Sequence, residues 1–160
     1  MRTLNTEDFT NSLFQLLRET FEAPPAEGGS AYLDKGAGLF QTLDALTAEA
    51  ASAPPRGGGP TVAAHCEHAR FYVHALLDFM RGATAKIDWS QSWVTQTVSP
   101  GEWERLKEGL RRAYATLDEH LRSLQTWGDE EVGDSMAILV HTAYHLGAIR
   151  QIVKDVNRQP

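Results

Sequence analysis

The chain has 160 residues and 17.7 kDa, with 15 Lys+Arg against 21 Asp+Glu and a formal charge of −6. That length predicts a single domain that buries roughly two-thirds of its unfolded surface, and the lone cysteine, Cys66, excludes an internal disulfide or a thiolate metal cluster. The acidic balance argues against general nucleic-acid binding, and no apolar run approaches the ~20 residues of a membrane helix. Met1 to Asn5 lacks the apolar core of a signal peptide, so a cytoplasmic protein is expected.

The first strong pattern runs from Thr6 to Phe21. Phe9, Leu13, Leu16, Leu17 and Phe21 recur at the spacing of one helical face, with Glu, Asn and Gln between them. Thr6 and Asp8 mark its start and Pro24-Pro25 its end; a flexible stretch with Gly28 and Gly29 follows. A shorter helical segment carries Leu39, Leu43 and Leu46 and ends near Ser52. Its alanines (Ala45, Ala48, Ala50, Ala51) suit close packing. Pro54-Pro55-Arg56-Gly57-Gly58-Gly59-Pro60 tolerates neither helix nor strand.

Beyond that break, Thr61 to Arg81 is predicted as a long helix opened by Thr61, with Gly82 just past its end. Val62, Ala69, Val73, Leu76, Phe79 and Met80 supply much of its apolar side. The connection from Ala83 to Thr97 holds Trp89 and Trp93 and shows no helical period; only Thr95 to Val98 suggests a strand. Ser99-Pro100-Gly101-Glu102 is a strong helix start, with Ser99 as cap, Pro100 in the first turn and Glu102 three residues on. Trp103, Leu106, Leu110, Tyr114, Leu117 and Leu121 then march to about Leu124. Trp127-Gly128 interrupts, and a last helix runs from about Asp129 to Val156. Four long helices predict an all-α four-helix bundle.

Connection lengths constrain its topology. The 83–98 linker holds about sixteen residues and can reach ~50 Å, whereas a helix of about twenty-one residues is only ~32 Å long. The second and third long helices can therefore be parallel neighbours joined by a long crossover, and the 24–60 region can act likewise. The short 125–128 joint predicts that the third and fourth pack antiparallel, side by side.

Six histidines stand out: His65, His68, His74, His120, His141 and His145. His141 and His145 are four apart in a helix, hence ~40° apart on one face and ~5–6 Å from each other, a geometry in which two imidazoles can hold one divalent metal. Ile138, Ile149 and Ile152 share that face, so the pair points inward. His65 and His68, ~60° apart on the second long helix, offer a third nitrogen, and spacing alone leaves either possible. Three protein ligands with one open position is the pattern of a catalytic zinc-type site. All-imidazole ligation leaves zinc, nickel, iron(II) and manganese open. A polar core network without metal is the competing reading of the same residues.

The segment His141-Thr-Ala-Tyr-His145-Leu-Gly147-Ala-Ile149-Arg150-Gln151 resembles the final-helix signature of the DinB/YfiT-like superfamily. Thr61-Val-Ala-Ala-His-Cys-Glu-His68-Ala-Arg-Phe-Tyr72 is similar to its second-helix motif, and Asp88-Trp89-Ser-Gln-Ser-Trp93 also looks like that group. The resemblance covers essentially the whole chain. It implies an up-down-down-up four-helix bundle and a divalent metal held by His68, His141 and His145, with Zn or Ni favoured and Fe or Mn as alternatives. Members of that superfamily include thiol-dependent S-transferases and isomerases. The resemblance therefore implies thiol-transfer or hydrolytic chemistry on a small electrophilic substrate, with a low-molecular-weight thiol as cosubstrate in the first case. A homodimer is likewise implied. Ala148 stands where many relatives carry glutamine.

Other residues have candidate supporting roles. Asp134, seven before His141, shares its face and could accept a ligand's free N–H, although an acidic residue also suits the first turns of a helix. Tyr72 lies one turn beyond His68 and could reach a metal pocket; Trp89 and Trp93 could wall its mouth. Each of these aromatics could equally be core. Cys66 is ~160° around the helix from His68 and reads as a small buried apolar residue. His74 and His120 have no partner at useful spacing, and the charge alternation over 102–112 reads as a solvated face. Against an enzyme stands a different class, a non-catalytic helical bundle, metal-binding or metal-free, acting as a stress-response interaction module.

Overall fold

The computed structural model describes residues 5–157; residues 1–4, part of the stretch compared with a signal peptide, lie outside them. Six α-helices and one 3-10 turn are present, and no strand occurs among the described residues. α1 spans Thr6–Glu22, and Asn5 caps it by accepting the Glu7 N–H at 2.9 Å. It ends at Ala23, whose φ of +78° turns the chain ahead of Pro24. The chain returns so closely that a Cβ on Gly38 would sit 2.3 Å from the Ala23 nitrogen, which only glycine permits.

The predicted helical segment after it is two short helices, α2 (Leu39–Asp44) and α3 (Ala48–Ser52). Thr47 breaks the run: its hydroxyl accepts the Ala50 N–H at 3.1 Å and starts a new helix. α4 spans Val62–Met80. Its cap, Thr61, accepts the Ala64 N–H at 3.2 Å and donates to the Gln96 carbonyl at 2.7 Å. Asp88 caps a 3-10 turn over Trp89–Trp93, in a stretch where no helical period was expected. Thr95 to Val98 is not a strand. Helix side chains take up its backbone groups instead, Thr61 at Gln96 and the Ser52 hydroxyl at the Val98 N–H, 3.0 Å away.

α5 (Pro100–Ser123) begins with the expected capping box of Ser99 and Glu102. α6 (Asp129–Val156) opens with Asp129, Glu130 and Glu131, favourable at the positive end of the helix dipole. Side-chain pairs give the relative directions. Arg70 packs at Gly109 and Arg81 acts electrostatically on His120, so α4 and α5 run the same way. Phe14 lies under the Arg122 guanidinium while Phe21 stacks on Tyr114, so α1 opposes α5. His65 meets His145 and His68 meets His141, so α4 opposes α6.

α4 packs most extensively on α6 and α5, and α1 on α6; α5 and α6 are not among the closely packed pairs. The expectation that these two lie side by side is thus corrected. The chain is extended at both Leu124 and Gly128. Four such residues reach ~14 Å, enough for the ~13 Å diagonal of four helices spaced ~9 Å apart. One hydrophobic cluster, with Phe21, Leu39, Val73, Trp103, Leu117 and Ile149 fully buried, joins all six helices. Among the described residues, no helix is long and apolar enough to cross a membrane.

Candidate metal centre

The α4–α6 contact brings the histidines together. His65, His68 and Tyr72 fall on one face of α4 by their three- and four-residue spacing, and His141 and His145 on the facing side of α6. Because the helices oppose each other, His68 lands on His141 and His65 on His145. The His68 and His141 Nε2 atoms are 3.0 Å apart, and those of His141 and His145 3.1 Å. His68, His141 and His145 each present a ring nitrogen within 4.8 Å of the other two. A four-coordinate ion with imidazole bonds of ~2.0–2.1 Å separates its ligand nitrogens by ~3.3 Å, so these three lie within reach of one ion.

Proton counting supports that fit. A neutral imidazole has one N–H. The Ser92 hydroxyl lies 2.7 Å from the Trp89 carbonyl, which can only accept, so it donates there. Ser92 Oγ must then accept from His68 Nδ1–H, also at 2.7 Å, leaving His68 Nε2 as a bare lone pair aimed at His141. His141 Nε2 faces two neighbours at about 3 Å, and a single proton can bridge only one of those contacts. Every neutral arrangement leaves a nitrogen pair unbridged, whereas a cation among three bare nitrogens satisfies all of them.

Burial keeps the rings neutral. His65 and His141 are pushed down to about 4 and His145 to about 3, by desolvation first and by neighbouring imidazoles second. Desolvation also lowers His68. His65 and His68 are each 8 % exposed and His145 3 %. Neutral imidazole is the form that ligates metal.

The aromatic candidates surround the rings. Tyr72 stacks on His141 at 3.6 Å between centroids, and Trp93 on His68 at 4.0 Å. Trp89 stands further out, 41 % exposed, with its ring 5.6 Å from that of Tyr72. A groove of about 420 Å³ opens beside His141, lined by Tyr72, Ala137, Val140 and Tyr144.

Asp134 makes no hydrogen bond to a ligand histidine. It lies in a separate groove with Phe79, Gly82, Ala83, Thr84 and Glu130, where desolvation and then Glu130 and Glu131 raise its pKa. The buried His141 Nδ1 has no hydrogen-bond partner among the described residues. Cys66 is fully buried away from the cluster, and burial pushes its thiol up, as befits a small core residue. His74 is exposed and His120 half-buried, both outside the triad, and Ala148 is half-buried one turn past it.

Two contacts had no signal in the sequence reading. Ser92, 0 % exposed, bonds to His68, and His65, weighed as a ligand, instead bonds through Nδ1 to His145 Nδ1 at 2.8 Å. The Asp88–Ser90 cap announces a turn, but only packing shows which of its residues meets α4.

The pattern of the DinB superfamily, whose members bind divalent metals, matches residues 34–149. No curated protein and no solved structure matches the chain. The match takes in α2 to α5, the 3-10 turn and α6 as far as Ile149, and with them all three clustered histidines. The chain belongs to the DinB superfamily.

Proposed function

We propose that this protein is a divalent-metal-dependent enzyme acting on a small electrophilic substrate, by thiol transfer or hydrolysis. The observation that carries the reading is the convergence of His68, His141 and His145, supported by the tautomer that the Ser92 contact assigns to His68, with Nε2 unprotonated. Three protein ligands leave a coordination position for a reactant. A bound zinc or nickel ion, or alternatively iron or manganese, would lower the pKa of a coordinated thiol or water and polarise an acceptor.

The chain's own residues have distinct tasks in this reading. His68, His141 and His145 hold the ion, while Tyr72 and Trp93 cover two of the ring faces and limit water. The groove of Tyr72, Ala137, Val140 and Tyr144 receives the apolar body of the substrate next to His141. Where the nucleophile is a thiol, a low-molecular-weight thiol is the cosubstrate, which suits a cytoplasmic location where thiols stay reduced.

A second reading, a non-catalytic interaction module, draws on the apolar stripe of Met136, Val140 and Tyr144 exposed along α6. In that second reading the same stripe, left without a substrate, is where we place a homodimer contact.

Elemental analysis of protein purified without a nickel column, followed by a thiol-conjugation and hydrolysis screen over several electrophiles, tests the proposal. His141→Ala is expected to lose the metal and any turnover while keeping its helical content. Stoichiometric metal retained in that variant contradicts the ligand assignment, and a metal-loaded wild type inert in every screen favours the module.

A further inference from the structure

We propose that His65 and Ser92 are positioning residues that hold two of the three metal ligands, His145 and His68, with their Nε2 lone pairs turned toward the ion; this rests on the metal reading above. Metal-bound imidazole usually donates its second ring N–H to a fixed acceptor, which sets both the tautomer and the ring orientation. Each of these two ligands has such an acceptor, and neither is a carboxylate.

For His68 the acceptor is Ser92 Oγ, with its own proton committed to the Trp89 carbonyl. The hydroxyl therefore has only a lone pair left to offer. The Asp88 carboxylate caps this turn by accepting the Ser90 N–H at 3.1 Å, so the 3-10 segment that carries Ser92 is itself anchored. Trp93, the next residue, stacks on the His68 face and fixes the remaining rotation of that ring.

For His145 the acceptor is His65 Nδ1, at 2.8 Å. With Nε2 bare toward the other ligands, His145 carries its proton on Nδ1, which obliges His65 Nδ1 to accept. His65 sits three residues before His68 on α4, so one helix face supplies both a ligand and the support of another. Accepting at Nδ1 puts the one proton of a neutral His65 on Nε2, so that ring has no bare nitrogen left for the ion, which argues against His65 as a ligand in place of His68.

The test is Co(II) titration of the full chain against a chromophoric chelator, with the Co(II) absorption spectrum and helical content recorded for each variant. Ser92→Ala and His65→Leu are each expected to weaken Co(II) about 10- to 100-fold at unchanged one-to-one stoichiometry. His65→Asn, whose Oδ1 can take the place of Nδ1 as acceptor, should recover most of that loss, which a purely structural role for His65 does not predict. His145→Ala should lose stoichiometric binding. Wild-type affinity in folded Ser92→Ala and His65→Leu overturns this inference and leaves the triad standing. A wild type that binds no Co(II) overturns the metal reading and the inference with it. Loss of binding in His65→Leu with retention in His68→Ala would make His65 the ligand and overturn the assignment.

Discussion

Acidifying the metal-free protein from pH 7 to pH 5 should destabilise it through the histidine cluster. The folded protein holds His141 at about 4 and His145 at about 3, against 6.5 for the free side chain. A histidine whose pKa falls on folding is protonated first in the unfolded chain. Its contribution is therefore fully present above about pH 6.5 and is lost as pH falls toward the folded value. At pH 5 each unfolded imidazole gains a proton that its folded counterpart refuses, which costs about 2 kcal/mol per residue, or about 4 for the pair.

For a chain of this size each kcal/mol moves Tm by ~2–4 °C, so these two residues alone should lower Tm by about 8–16 °C. His65 and His68, shifted in the same direction, add to the loss. Glu19 does not interfere: burial raises its pKa, but hydrogen bonds from Ala31, Tyr32, Gln15 and Leu33 hold it below 4.5, so it stays ionised at pH 5. The assay is thermal unfolding of chelator-treated protein by circular dichroism at both pH values, beside the double variant His141→Asn, His145→Asn. The double variant should show a much smaller drop. An equal drop in the two proteins, or none in the wild type, refutes the argument.

Thr61→Ala removes the α4 cap and the bond to the Gln96 carbonyl together. It should cost about 2 kcal/mol in denaturant unfolding, since a cap and a buried hydrogen bond are each worth about 1. Glu19→Gln weakens the buried acceptor that holds the Ala31 and Tyr32 amides at 2.6 and 3.1 Å. A loss of about 1–3 kcal/mol is expected, with faster amide exchange confined to that loop. Leu117→Ala, at a fully buried core position, should cost about 2–5 kcal/mol while leaving metal stoichiometry unchanged. A changed stoichiometry there would mean that the core and the histidine cluster are not separable.

Sequence by itself settled whatever depends on neighbours along one helix. Thr61, Ser99 and Pro100 mark helix starts because a cap acts within its own first turn, and α6 runs from Asp129 to Val156 as its spacing indicates. His141 and His145 had to share a face for the same reason, since a four-residue step on a helix leaves no freedom. The break within 39–52 was legible in principle, because Thr47 caps as readily as Thr61, but the leucine and alanine spacing outweighed it.

Only tertiary structure decided what depends on how helices face one another. Spacing gave His65 and His68 equal standing; the opposed alignment of α4 and α6 sets one on His141 and the other behind His145. Asp134 shares the His141 face of α6, but about two turns of helix carry it to a separate groove with Phe79 and Glu130. Ser92 lies twenty-four residues from His68, and the contact exists because a crossover folds back across α4. The separation of α5 from α6 has a similar origin: a short extended joint reaches across the bundle as well as to the next helix, and core packing selects between them. Periodicity fixes angles about a single axis, whereas a metal centre is built from distances between axes.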